Sequence, residues 1–184
     1  PRPRSLPIAP HPLPARRHLP LADEVRPIDR RWQPIYAVWE ITLKCDLACR
    51  HCGSRAGRDR PDELSTAEAL DLVKQMAELG TKEVTLIGGE AYLRDDWLDI
   101  AREVTRQGME CTMTSGGRSL TLERAKAAKE AGIRSVSVSV DGLEETHDAL
   151  RAVKGSYRAA FEAMDNLRAA GIPFSANSQF GRHS

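Results

Sequence analysis

Four times along this chain an amphipathic stretch closes on a glycine, and a β-branched or alternating run begins a few residues later; the glycines are Gly80, Gly108, Gly132 and Gly171. Ser65, with Glu68 three positions on, predicts a capping box at the start of the first helix. Ala69, Leu72, Val73, Met76 and Leu79 then share one face, and Gly80 suits the C′ position. The strand after it spans 83–87. Further helices are predicted over 97–106, 122–131 and 157–170, each leading into a strand, at 109–114, 135–140 and 173–178. An alternating strand at 37–43 precedes them all. Each helix carries the chain back to its starting edge, so the strands pair in parallel and the class is α/β.

The count is five strands with four crossovers. An eight-stranded barrel uses about 250 residues, roughly 31 per βα unit. The 149 residues from Tyr36 to Ser184 supply about five such units. Periodicity alone leaves two architectures open, a doubly wound sheet and an incomplete parallel barrel. In both, ligands bind at the carboxyl ends of the strands, so the segments after Leu43, Ile87, Thr114, Val140 and Asn177 carry the functional expectation.

Composition adds exclusions. Apolar residues at 41% supply a core, and a formal net charge of +1 gives no basic face for nucleic acid. No apolar run approaches the ~20 residues of a membrane span, and the protein is expected in the cytoplasm. Residues 1–34 hold nine of the eleven prolines and seven arginines against three acidic residues, a net +4. That stretch is expected to be an extended or disordered leader ahead of a folded unit at 35–184.

Three of the four cysteines, Cys45, Cys49 and Cys52, fall within eight residues just beyond the first strand. An odd number without secretory context argues against disulfides. Zinc is a rival, with His51 or Cys111 as fourth ligand. Adjacency of His51 to Cys52 and the strand-start position of Cys111 count against it. An iron–sulfur cluster on three thiolates would leave one iron open. After the second strand stands Gly88-Gly89-Glu90, two residues without side chains followed by a carboxylate at the same rim. Cys111, Met76 and Met164 read as core, and Trp97 as helix packing.

Together these motifs resemble the radical S-adenosylmethionine (SAM) superfamily. Cys45, Cys49 and Cys52 match its cysteine spacing, Gly88, Gly89 and Glu90 its Gly-Gly-Glu, and His51 takes the place usually held by an aromatic residue. Residues 45–58, with Ser139-Val140-Asp141-Gly142, His147-Asp148 and Arg151, look most like the peptide- and cofactor-maturation branch, whose members usually carry a C-terminal SPASM or twitch extension. The resemblance implies a partial barrel of about five strands. It implies a [4Fe–4S] cluster on the three cysteines and SAM chelating the unique iron. Glu90 and the Gly88 and Gly89 backbone would hold the methionyl ammonium. Thr114, Ser115, Ser139, Arg151 and Asn177 are further candidate SAM contacts. The implied activity is reductive cleavage of SAM to a 5′-deoxyadenosyl radical that abstracts hydrogen from a peptide or cofactor precursor. Tetrapyrrole side-chain chemistry is the second substrate class, and a reductase, flavodoxin or ferredoxin the implied electron donor. A non-catalytic iron–sulfur or zinc-binding module is the alternative. Because relatives need about six units, the chain reads as part of a longer enzyme, expected to bind cluster and SAM but to turn over its native substrate poorly.

Overall fold

Alternation within each strand sends one set of side chains toward the helices and the other to the open face. A computed structural model of the protein describes residues 33–179 and Gly181; the leader expected over 1–34 lies outside the described residues apart from Gln33 and Pro34. The elements run β1 (Tyr36–Thr42), α1 (Thr66–Glu78), β2 (Glu83–Gly88), α2 (Trp97–Arg106), β3 (Glu110–Ser115), α3 (Leu122–Glu130), β4 (Ile133–Ser139), α4 (Glu144–Arg151), α5 (Ser156–Ala169) and β5 (Phe174–Asn177). All four strand pairs are parallel, in the order β1-β2-β3-β4-β5. Sequential order decides between the two architectures, because a doubly wound sheet reverses its strand order at a switch point and a barrel does not. The five described strands form a partial (βα) barrel.

Val84, Leu86, Cys111, Met113, Val136 and Val138 point outward and are buried with Ala69, Val73, Ile100, Val104, Ala160 and Leu167 of the helices. Burial pushes the Cys111 thiol up to about 12, so it is core, as expected. The inner face carries hydroxyls instead. Tyr36 Oη, Thr85 Oγ1 and Thr112 Oγ1 are bonded in series at 2.8 and 2.7 Å, and Ser137 and Ser175 pair at 2.8 Å.

The capping box is present, with Ser65 Oγ accepting from the Glu68 amide and the Glu68 carboxylate from the Ser65 amide. The buried stripe of α1 is turned from the expected one. Leu70 and Ala77 join Ala69, Val73 and Met76 on the core, whereas Leu79 caps the helix and is 60% exposed. Gly80, Gly108, Gly132 and Gly171 follow α1, α2, α3 and α5 with φ of +93°, +78°, +90° and +71°. That left-handed backbone is what each helix needs to turn into its strand.

Helix α4 is the element that periodicity missed. Glu144, Glu145, Asp148 and Arg151 hide its pattern, and His147 is its one buried residue. Asp148 fastens it to α5 by accepting from the Gly155 and Tyr157 amides at 2.6 and 2.8 Å and from the Ser156 hydroxyl at 2.9 Å. These bonds, the Tyr157 amide first, hold the Asp148 carboxyl below its ordinary range. Among the described residues no helix is long and apolar enough to cross a membrane.

Candidate functional site

The segment leaving β1 folds back on itself before α1. Cys45 N–H donates to Gly57 O (3.2 Å) and Gly57 N–H to Leu43 O (2.8 Å). Glu63 Oε1 closes its base by accepting from Thr42 Oγ1, the Leu43 amide and the Arg60 amide. The far side docks on α4: Arg50 N–H donates to Leu150 O (2.8 Å) and Ala48 N–H to Arg151 O (3.3 Å). The last-turn carbonyls of a helix lack intrahelical partners, so α4 offers this loop two ready acceptors.

Each of the three cysteine sulfurs in the loop accepts one N–H. Leu47 N–H reaches Cys45 Sγ at 3.4 Å, Arg151 Nη1 reaches Cys49 Sγ at 3.6 Å, and Ala56 N–H reaches Cys52 Sγ at 3.3 Å. All three thiols are free and half-buried. Burial raises the Cys45 thiol to about 11, against the Leu47 amide and with help from the Glu90 and Asp46 charges. It raises the Cys49 thiol as well, opposed by the Arg151 guanidinium. A metal that takes these sulfurs must displace their protons.

The Gly-Gly-Glu rim is wedged against that loop. Gly89 N–H donates to Thr42 O (2.9 Å) and Glu90 N–H to Lys44 O (2.7 Å). A Cβ on Gly88 would run into the Thr42 carbonyl oxygen, and one on Gly89 into that of Lys44, with the Cys45 Cβ 2.7 Å away. The sequence reasoning gave the glycines to an approaching ligand. In the structure both glycines line the candidate cavity, and the space a Cβ would need is already taken by the end of β1 at Gly88 and by the cysteine loop at Gly89. Gly89→Ala is therefore expected to destabilise by about 1–3 kcal/mol, the usual cost of overpacking, read by urea unfolding. Gly53→Ala, whose Cβ meets nothing within 4 Å, is the neutral control. Equal stability of the two variants would rule out the close approach.

Glu90 is 2% exposed. Its carboxylate accepts from Ser115 Oγ and from the Gly116 amide, both at 2.6 Å. Burial nevertheless lifts its pKa to about 7, outweighing those two donors, and the Asp46 charge adds to the rise. A Cβ on Gly116 would stand 2.8 Å from Glu90 Oε1, so a third glycine keeps this carboxylate in place.

One cavity of about 280 Å³ at the carboxyl ends of the strands is lined by Cys45, Cys49, Cys52, Gly88, Gly89, Glu90, Thr114, Ser115, Ser139 and Arg151, and by Leu47, His51, Ala56 and Gly116 besides. Ten of the eleven expected site residues thus meet. Asn177 pairs in register with Ser139 but is exposed and outside the lining. The Ser115 hydroxyl is committed to Glu90 and to the Gly117 amide, so it serves the site by holding Glu90. Sequence reading gave no role to Leu47, Gly116 or Asp46. Asp46 is held by Ser119 Oγ at 2.5 Å and lies 3.4 Å from Tyr92 Oη. Only the Ser-Gly-Gly run at 115–117 gave a signal for any of them.

The donor chemistry bears on which metal group fits. Four-coordinate zinc at about 2.3 Å from sulfur needs thiolates within about 4 Å of one another. Among the described residues the one three-donor set within 4.8 Å is Cys45, Asp46 and Glu90, not the three cysteines. His51 Nε2 faces Asp141 Oδ2 at 3.2 Å, and Cys111 lies in the core at the opposite end of β3. Neither belongs to a three-donor set among the described residues. A cluster suits sulfurs spread around a wall of bare backbone, since irons and sulfides stand between them. The Arg151 Nε is moreover buried with no protein partner beside this cavity.

A family model described as the radical SAM superfamily matches residues 39–179. The chain belongs to that superfamily. Its curated relatives are enzymes. It is 34% identical over 146 residues to the AdoMet-dependent heme synthase of Oleidesulfovibrio alaskensis, covering 78% of this chain and 38% of the synthase. It is 34% identical over 140 residues to the mycofactocin maturase MftC of Mycolicibacterium smegmatis, covering 76% and 36%. The chain therefore spans well under half the length of these relatives. Among solved structures, SuiB of Streptococcus suis bound to S-adenosylmethionine superposes with a TM-score of 0.71 at 16% identity, covering 83% of this chain and 35% of SuiB. At that identity the likeness is one of fold.

Proposed function

We propose that residues 35–184, apart from the leader at 1–34, form the cofactor-holding core of a radical SAM enzyme that modifies a peptide or a cofactor precursor. The observation that carries this reading is the convergence of Cys45, Cys49, Cys52 and the buried Glu90 on one cavity. Cys45, Cys49 and Cys52 would hold a [4Fe–4S] cluster, and the cavity beside them would hold SAM. Cluster and SAM together supply hydrogen-abstracting radical chemistry once a reductase, flavodoxin or ferredoxin delivers an electron.

The chain's own residues do the positioning. The Leu47 and Ala56 amides and the Arg151 guanidinium orient the sulfurs and stabilise their negative charge, as hydrogen bonds to cluster sulfurs do elsewhere. Glu90, held by Ser115 and Gly116, receives the methionyl ammonium. Arg151, whose Nε is buried without a protein partner, would neutralise the carboxylate of the same ligand. Thr114 and Ser139, from the hydroxyl-bearing inner face, would contact its ribose side, while Asn177 stands outside the lining and outside this set. Leu47, Ala56 and Ile87 exclude water. Four free cysteines suit a reducing compartment, the cytoplasm.

A heme synthase and a mycofactocin maturase share the same 34% identity with this chain over similar lengths, 146 and 140 residues. That equality supports assigning this segment to radical generation, with substrate choice made by the rest of the enzyme. Anaerobic reconstitution with iron and sulfide, then dithionite and SAM, tests the reading. A brown protein that releases 5′-deoxyadenosine is expected. A cluster without cleavage reduces the chain to a binding module, and tight zinc without a cluster overturns the proposal.

A further inference from the structure

Asp141 belongs to no motif assigned a role above, yet it is among the most enclosed charges in the described chain. Its residue is 1% exposed. Its Oδ2 stands 2.7 Å from Arg151 Nη2 and 3.2 Å from His51 Nε2, and its Oδ1 accepts from the Gln179 amide at 3.1 Å. The Asp141 amide donates to His147 Nδ1 at 3.1 Å, fixing that buried ring as an acceptor there. One carboxylate therefore touches β5's outgoing chain, the last turn of α4 and the cysteine loop. The Asp141 side chain is thus spent on partners outside its own turn.

Both side chains that Asp141 Oδ2 faces belong to or touch the cluster loop. Arg151 extends its other nitrogen to Cys49 Sγ at 3.6 Å, while its carbonyl takes the Ala48 amide. His51 is part of the loop, between Cys49 and Cys52. A planar guanidinium can serve two acceptors at once only while one of them fixes its plane.

We propose that Asp141 is a positioning residue. Acting through Arg151 and His51, it locks the cysteine loop onto the C-terminal turn of α4 and aims the Arg151 guanidinium at Cys49. The role at Cys49 rests on the cluster reading given above; the role in docking the loop does not.

Two measurements on the full chain carrying Asp141→Asn test it. In cluster-free protein, amide exchange at Ala48 and Arg50 should accelerate at least tenfold while Val73 and Val104, in α1 and α2, keep their rates. Glu144→Gln, at the exposed start of α4, should change none of these. Unchanged protection at Ala48 and Arg50 overturns the proposal. Should Asp141→Asn unfold, Arg151→Lys is expected to show the same local loss, because an ammonium cannot bridge Asp141 and Cys49 as the fork does.

In reconstituted protein, a dithionite titration followed by absorbance reads the cluster's midpoint potential. Loss of a nearby negative charge alone would raise that potential. Withdrawal of the guanidinium from Cys49 lowers it, and a tenfold fall in the reduced-to-oxidised ratio corresponds to about 59 mV for one electron. A lower potential supports the proposal, and a higher one overturns the role at Cys49. If the unmodified chain takes up no cluster, the functional reading fails, and the exchange experiment still decides whether Asp141 docks the loop.

Discussion

Changing any one of Cys45, Cys49 and Cys52 to alanine is expected to abolish the visible absorption of the reconstituted protein and its release of 5′-deoxyadenosine, whereas Cys111→Ala keeps both. The contrast follows from where the sulfurs lie. Three of them line one cavity at the carboxyl ends of the strands, each with an N–H donor already in place. Two thiolates can anchor only two irons, and among the described residues no further thiol reaches that cavity. Cys111 pairs in register with Val84 and Ile133 at the amino end of β3 and is wholly buried. Its loss trims the core and leaves the site alone. The three variants should fold, because their half-buried thiols contribute little to the core. Colour and cleavage retained in Cys49→Ala would show that the metal lies elsewhere.

Glu90→Gln is expected to weaken SAM binding by roughly 10- to 150-fold, the range for losing one charge-assisted hydrogen bond. Isothermal titration of SAM into the reconstituted protein measures it. The pH dependence is more diagnostic than the size. Burial raises the Glu90 carboxyl from 4.5 to about 7. Below that value it is protonated and offers an ammonium no ion pair, so affinity in the wild type should rise as pH passes through about 7. In Glu90→Gln this dependence should vanish.

Stability moves the opposite way. The folded state holds this proton more tightly than the unfolded chain, so the contribution is fully present below 4.5 and is lost as pH rises through about 7. At 1.36 kcal/mol per pKa unit it amounts to on the order of 3 kcal/mol. Ligand-free Glu90→Gln should accordingly match the wild type near pH 5 and exceed it near pH 8. A wild-type affinity indifferent to pH would separate Glu90 from the ammonium.

Local interactions made much of this legible beforehand. The Ser65 capping box, the helix-ending glycines and the strand alternation involve residues close in sequence, whose preferences are set by backbone sterics and nearby hydrogen bonds. The three-cysteine cluster was visible for the same reason, lying within one loop. Helix α4 was not, because its stability comes from Asp148 and from docking against the cysteine loop rather than from an apolar stripe. Leu79 was misassigned because α1's rotation against the sheet is a packing outcome that heptad spacing does not specify.

What the residues determined alone was a parallel α/β chain with thiols and a Gly-Gly-Glu at its ligand-bearing ends. Periodicity left strand order open, since crossovers look identical in both architectures; the motif resemblance implied a partial barrel, and the tertiary structure shows the sequential order β1-β2-β3-β4-β5. The tertiary structure alone decided the meeting of Glu90 with Ser115 and Gly116, and of Asp141 with His51 and Arg151. Glu90 lies 25 residues from Ser115, and His51 is remote from Asp141 in sequence; the parallel sheet brings the strand ends together, and a charge buried there must be satisfied from several elements at once.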